Sequence, residues 1–120
     1  MNQRPDAAEL LQVARQQLLD DLLPALPPHL RYQTLMIANA MAISAREYRT
    51  GATAGFEELR RLNEQSGQHS PTLAEARKCL ASAIRAGQYD VDDAKRQSLA
   101  DALRQITLAQ LSISNPKAMP

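Results

Sequence analysis

The chain has 120 residues, a formal charge of +1, 44% hydrophobic, 22% charged and 3% aromatic residues. That make-up is ordinary for a folded globular protein and excludes intrinsic disorder. Positive and negative side chains are interspersed, with no basic stripe and no group of stacking aromatics, which speaks against nucleic acid or an acidic membrane surface as a partner.

The length suits a single helical domain over 1–120, with enough residues to bury a core without disulfides or metals. There is no Trp, so that core is expected to be built from Leu, Ala, Ile and Met, which favours closely packed helices over strands. The single cysteine, Cys79, allows no internal disulfide and fits a reducing compartment. The polar N-terminus MNQRPDAAEL is unlike a signal peptide. No apolar run approaches the roughly 20 residues that cross a bilayer. A cytoplasmic protein is expected.

The first predicted helix runs from Asp6 or Ala7 to Leu22. Asp6 with Glu9 three residues later forms a capping-box pattern, and Leu11, Ala14, Leu18 and Leu22 recur at helical spacing as its inner stripe. Pro24, Pro27 and Pro28 then impose an extended connection. The second helix, about 30–49, is apolar almost all round through Leu35, Met36, Ile37, Ala38, Ala40, Met41, Ala42 and Ile43, so it is expected to be buried at the centre, with Gly51 ending it.

A shorter helix is predicted from Thr53 to Gln65, with Phe56, Leu59 and Leu62 as contacts, followed by the polar and mobile stretch NEQSGQHSP. The next helix starts at the Thr72–Glu75 capping box, buries Leu73, Ala76, Leu80 and Ala83, and ends at Gly87. The last runs from about Val91 to Ser112. Asp92 and Asp93 lie in its first turn, where their charge suits the helix dipole, and Leu99, Leu103, Ile106, Ala109 and Ile113 form its stripe. Residues 113–120 are read as an irregular tail. The sum is an all-α, up-down bundle of four to five helices around the 30–49 helix.

Tyr32, Asn39 and Arg46 recur every seven residues, which places them on one helix stripe with about 20° of drift per heptad. As a ligand site, that line offers a hydroxyl, an amide and a guanidinium to an anionic or carboxylated molecule. As structure, it offers Asn39 to a neighbouring helix to fix register and Arg46 to the carbonyls of a helix end. The structural reading carries more weight, because buried polar groups in bundles are mostly hydrogen-bonded to their own fold.

Other constellations are weak. Arg46 and Glu47 are adjacent and point apart on a helix. His29 and His69 lack a Cys or acid at ligand spacing, so no metal site is expected. Asp90, Asp92 and Asp93 lack the glycine and closing glutamate of a calcium loop. Gly51 and Gly55 lack the Lys-Ser/Thr of a phosphate loop. Cys79 sits beside Arg77 and Lys78 without an identifiable His or acid partner. No catalytic residues and no cofactor are expected.

Taken together, several segments resemble a known bacterial domain-of-unknown-function family. They are Arg4-Pro5-Asp6, Leu22-Leu23-Pro24, Arg31-Tyr32, Leu35-Met36-Ile37-Ala38-Asn39-Ala40, Ala45-Arg46-Glu47, Ile84-Arg85-Ala86-Gly87 and Leu111-Ser112-Ile113-Ser114-Asn115-Pro116. Members are small helical proteins encoded beside aminoglycoside-phosphotransferase-like proteins and acyl-CoA dehydrogenases, without established catalytic residues. The resemblance implies an accessory or interaction protein for a phosphotransferase-like or acyl-CoA-dehydrogenase-like enzyme. The alternative is a helical bundle that binds an acyl or CoA-like small molecule along the Tyr32–Asn39–Arg46 line. Homodimerisation through so apolar a second helix is also expected.

Overall fold

A computed structural model describes residues 4–120, which are all-α, with no strand among them. Helix α1 (Ala7–Gln17) begins at the predicted cap. Asp6 accepts the Glu9 backbone N–H at 2.8 Å, and the Glu9 carboxylate accepts the Asp6 N–H at 3.3 Å. The predicted continuation to Leu22 is replaced by a π turn, Leu18–Leu22, in which the Leu23 N–H reaches back to the Leu18 carbonyl. Pro24 is the cause. It brings no N–H to the Asp20 carbonyl four residues earlier and its ring presses against that carbonyl, so the preceding turn widens. Short 3-10 turns, Leu23–Ala25 and Pro28–Leu30, make the connection to the next helix.

Helix α2 (Arg31–Ser66) is one 36-residue helix where the sequence predicts two. Gly51 does not terminate it. The glycines with positive φ are Gly67 and Gly87, whereas Gly51 keeps helical backbone among the helix formers Ala52 and Ala54, with no proline before Pro71 to force an exit. Two compact units divide the chain, and their boundary between Ala52 and Thr53 falls inside α2.

In the first unit, Ala8 of α1 and Thr34, Ala38, Ala42 and Ala45 of α2 are the buried residues. The α1 stripe is rotated from the predicted one. Ala14 and Leu22 are exposed, while Leu11, Arg15 and Leu18 are among the half-buried positions and Ala8 is fully inside. The Arg15 Nε donates to the Ala38 carbonyl at 3.1 Å, fixing α1 against α2. The predicted burial of the 30–49 segment on all sides does not hold, because Leu35, Met36 and Ile37 are exposed. Two helices cover only one side of each other, and the small side chains of α2 occupy that side.

The second unit has a conventional three-helix core from the C-terminal half of α2, α3 (Leu73–Arg85) and α4 (Asp93–Ser114). Leu62, Ala76, Leu80, Tyr89, Leu99 and Ile106 are its buried cluster, with Leu59, Leu73 and Ala83 packed on it. The α3 stripe is the predicted one. On α4, Ala102 takes the inner place expected of Leu103, which is 40% exposed, and on α2 Phe56 is 69% exposed instead of inside.

Helix ends follow the capping rules. Thr72 accepts the Glu75 N–H at 3.2 Å, and Asp92 accepts the Lys95 N–H at 3.1 Å. Past α3, Gly87 adopts φ 82° while its N–H bonds the Ile84 carbonyl and the Gln88 N–H bonds that of Ala83, a Schellman closure. At the end of α2, Gly67 adopts φ 72° and its N–H bonds the Asn63 carbonyl. The polar stretch beyond is anchored: the Asn63 amide donates to the Ser70 carbonyl at 3.0 Å and accepts the Ser70 N–H at 3.1 Å. The expected irregular tail starts later than residue 113, because α4 continues to Ser114 and a 3-10 turn covers Pro116–Ala118.

The two kinds of glycine predict opposite responses to alanine. A Cβ on Gly51 meets only the flexible Glu47 side chain, at 3.1 Å. Gly51→Ala is expected to raise stability by about 0.5–1 kcal/mol through helix propensity. A Cβ on Gly87 meets the Asp90 carboxylate at 2.9 Å with a left-handed backbone. Gly87→Ala is expected to lower stability by more than about 1 kcal/mol. Chemical denaturation followed by circular dichroism measures both.

Candidate functional site

Tyr32, Asn39 and Arg46 all lie on the first half of α2, on one side of it, as their spacing requires. Tyr32 is 73% exposed, Asn39 is exposed and Arg46 is half-buried with interactions of its own. The line is therefore a surface feature, and Asn39 has no burial to be compensated for. The expected internal role for that amide falls away because the inner side of α2 is the Thr34–Ala38–Ala42–Ala45 face. Met36 and Ile43 fill the gaps in the line, so the outward face reads Tyr32, Met36, Asn39, Ile43, Arg46 at alternating spacings of four and three.

The buried polar chemistry lies in the second unit and was not singled out from sequence. Glu58 of α2 is 8% exposed. Arg77 of α3 places its Nη2 2.5 and 3.0 Å from the two Glu58 carboxylate oxygens, and Gln110 of α4 donates to Glu58 Oε1 at 3.0 Å. One carboxylate thus ties three helices together. A second tie runs from the buried Tyr89, whose hydroxyl donates to the Gln65 carbonyl at 2.7 Å, while the Gln65 amide donates to Ser98 Oγ at 2.9 Å. Lys95 lies 4.9 Å from the centre of the Tyr89 ring, a cation–π contact. The spacing of Glu58 four residues before Leu62, and seven before Gln65, is the signal that places it on the inner side of α2.

Two open grooves flank these ties. One, of about 570 Å³, is lined by Phe56, Leu59, Arg60, Asn63 and His69 among others. Arg60 there pairs with Glu57 at 2.8 Å and Glu64 at 2.6 Å. The hydrogen bond from Arg60 holds the Glu57 carboxyl below its ordinary range, and the two acids push the guanidinium further up. The other groove, of about 460 Å³, includes Cys79 with Lys78, Ser66 and Ser82. The Cys79 sulfur lies 3.7 Å from Ser70 Oγ, and no histidine or carboxylate lines that groove. Neither groove reaches Tyr32, Asn39 or Arg46.

Among the described residues no group of three or more His, Cys, Asp or Glu is arranged to hold a metal ion. Asp92 serves as the α4 cap, and Asp93 pairs with Arg96. His29 and His69 lie in different units. No described helix is long and apolar enough to cross a membrane.

The described chain is thus an all-α protein in which one buried carboxylate links three helices to each other. It belongs to a family of uncharacterised proteins, described as Domain of unknown function (DUF6285), whose model matches residues 24–118. The match begins at Pro24 and so takes in α2, α3 and α4 but not α1. No curated protein and no solved structure matches the chain.

The Glu58 tie predicts asymmetric mutational costs. Arg77→Ala leaves a buried carboxylate with Gln110 as its remaining side-chain donor and is expected to cost about 2 kcal/mol. Glu58→Gln accepts from Arg77 and donates to the oxygen of a flipped Gln110 amide, and is expected to cost under about 1 kcal/mol, as measured by urea denaturation.

Burial raises the Tyr89 pKa above its ordinary value of about 10. The folded chain therefore holds the phenolic proton more tightly than the unfolded chain. This contribution is intact below about pH 10 and is lost as pH rises through the folded value. Tyr89→Phe is expected to cost about 1 kcal/mol at neutral pH and to flatten the alkaline fall in stability, in denaturation series from pH 7 to 11.

Proposed function

We propose that the protein is a non-enzymatic accessory protein of the cytoplasm, which docks on a phosphotransferase-like or acyl-CoA-dehydrogenase-like enzyme. The observation that carries the reading is the exposure of large apolar side chains on the outer side of the first unit. Leu10 and Val13 on α1 are 56% and 63% exposed, and Leu22 at the π turn is 52% exposed. Leu10 and Val13 are neighbours at i and i+3 and form one apolar step on the helix surface. Apolar surface grouped in this way marks interaction sites. Asp6 and Asp92 cap helices and Glu58 ties three of them together, which are structural uses. The choice of enzyme rests on the family resemblance, and the reducing compartment on the single free cysteine.

A second reading, binding of an acyl or CoA-like molecule, is favoured by the groove at Phe56 and Leu59, where an apolar floor lies beside Arg60 and His69. Co-expression with the enzymes encoded beside the gene separates the two. Docking predicts co-elution on size exclusion that is lost in Leu10→Glu/Val13→Glu with helicity unchanged. Absence of co-elution, together with saturable binding of a long-chain acyl-CoA that Phe56→Ala abolishes, overturns the docking reading in favour of the second.

A further inference from the structure

The outward face of α2 in the first unit carries a pattern that the docking reading leaves unused. Helix α2 has two faces with different chemistry, about 125° apart around its axis at 100° per residue. One is the buried Thr34–Ala38–Ala42–Ala45 face. The other is Tyr32, Met36, Asn39, Ile43 and Arg46, whose alternating steps of four and three residues are those of a coiled-coil seam. Tyr32 and Met36 are 73% and 50% exposed, Asn39 is exposed and Ile43 is half-buried. Leu35, 43% exposed, flanks one side of the seam and the small Ala40 the other.

We infer that this seam is the interface of a homodimer in which α2 packs antiparallel against α2 of a second copy. Three observations select that occupant. The antiparallel register that layers Tyr32 with Ile43 of the other copy also layers Met36 with Asn39, so each of these layers holds an apolar side chain and the two Asn39 amides lie in adjacent layers on either side of the two-fold axis. A parallel pair would stack Arg46 on Arg46 in one layer. Like charges in contact are unfavourable, and the antiparallel register avoids them.

Size is the third. The seam from Tyr32 to Glu47 is about 24 Å long at 1.5 Å per residue. It would bury on the order of 500–600 Å² on each copy, enough for a specific but modest interface. The first unit gains most, because alone it buries only alanines and one threonine. Asn39 between Met36 and Ile43 restricts register at some cost in strength, which is the use coiled coils make of a polar seam residue. This dimer is independent of the enzyme partner, whose proposed contacts are on α1 and the π turn.

Sedimentation velocity with light scattering tests the inference on the full chain. The expected mass is twice 13.2 kDa at micromolar concentration. Met36→Glu, at an exposed position, is expected to halve it with the circular dichroism spectrum unchanged. Adding Asn39→Lys to Met36→Glu is expected to bring the dimer back, because only the antiparallel register sets 36 against 39 of the other copy. A wild-type protein that stays monomeric at about 200 µM overturns the proposal. So does a dimer indifferent to Met36→Glu, or a double variant that remains monomeric.

Discussion

The tie between α1 and the small-residue face of α2 is the constraint on which the first unit depends. Ala38, Ala42 and Ala45 present little more than backbone, so the Arg15 guanidinium reaches the Ala38 carbonyl across the contact. A face of alanines gives proximity and little apolar area. Leu35, Met36 and Ile37 cannot be turned inward without turning that face out, because all of them are fixed to one helix by its period. Placing alanines inside therefore places the bulky residues of the same stretch outside.

The second unit solves the same problem in the ordinary way, with leucines and an isoleucine inside and three helices to cover them. Its polar interior is anchored by one carboxylate. Glu58 is shared by Arg77 and Gln110, and a shared acceptor specifies the relative rotation of α2, α3 and α4 more narrowly than apolar packing does. Tyr89 performs a related task from a short loop. It brings an aromatic ring into the core and returns its hydroxyl to the backbone of α2.

Local signals in the sequence were read well where they were local in cause. Asp6, Thr72, Asp92 and Gly87 act through neighbours a few residues away, and they appear where the sequence places them. The α3 stripe was equally legible, since a short helix with one apolar side has one way to pack. Signals that depend on other helices were not legible. Gly51 carries no local mark that separates a terminator from a helix interior, and only its backbone angles decide. The 30–49 segment looked central because hydropathy counts apolar residues without saying how many neighbours exist to cover them. The Tyr32–Asn39–Arg46 line follows from its seven-residue spacing alone, whereas the exposure of Tyr32 and Asn39 depends on where the other helices lie. Glu58 shares the inner spacing of Leu62 and Gln65, but its use as a shared acceptor is set by Arg77 and Gln110 on two other helices.

The inside-out arrangement of the first half of α2 also changes how sequence variation there should be understood. In most helices the large apolar positions tolerate least and the alanines most. Here the steric limit falls on Ala38, Ala42 and Ala45, where even one added methyl group must be accommodated at a buried position. Tyr32, Met36 and Ile37 project into free volume, and folding alone leaves them open to drift. Any restriction on what those outward positions accept is therefore imposed from outside the chain's own fold, and the pattern of permitted residues along α2 becomes a record of what the protein touches.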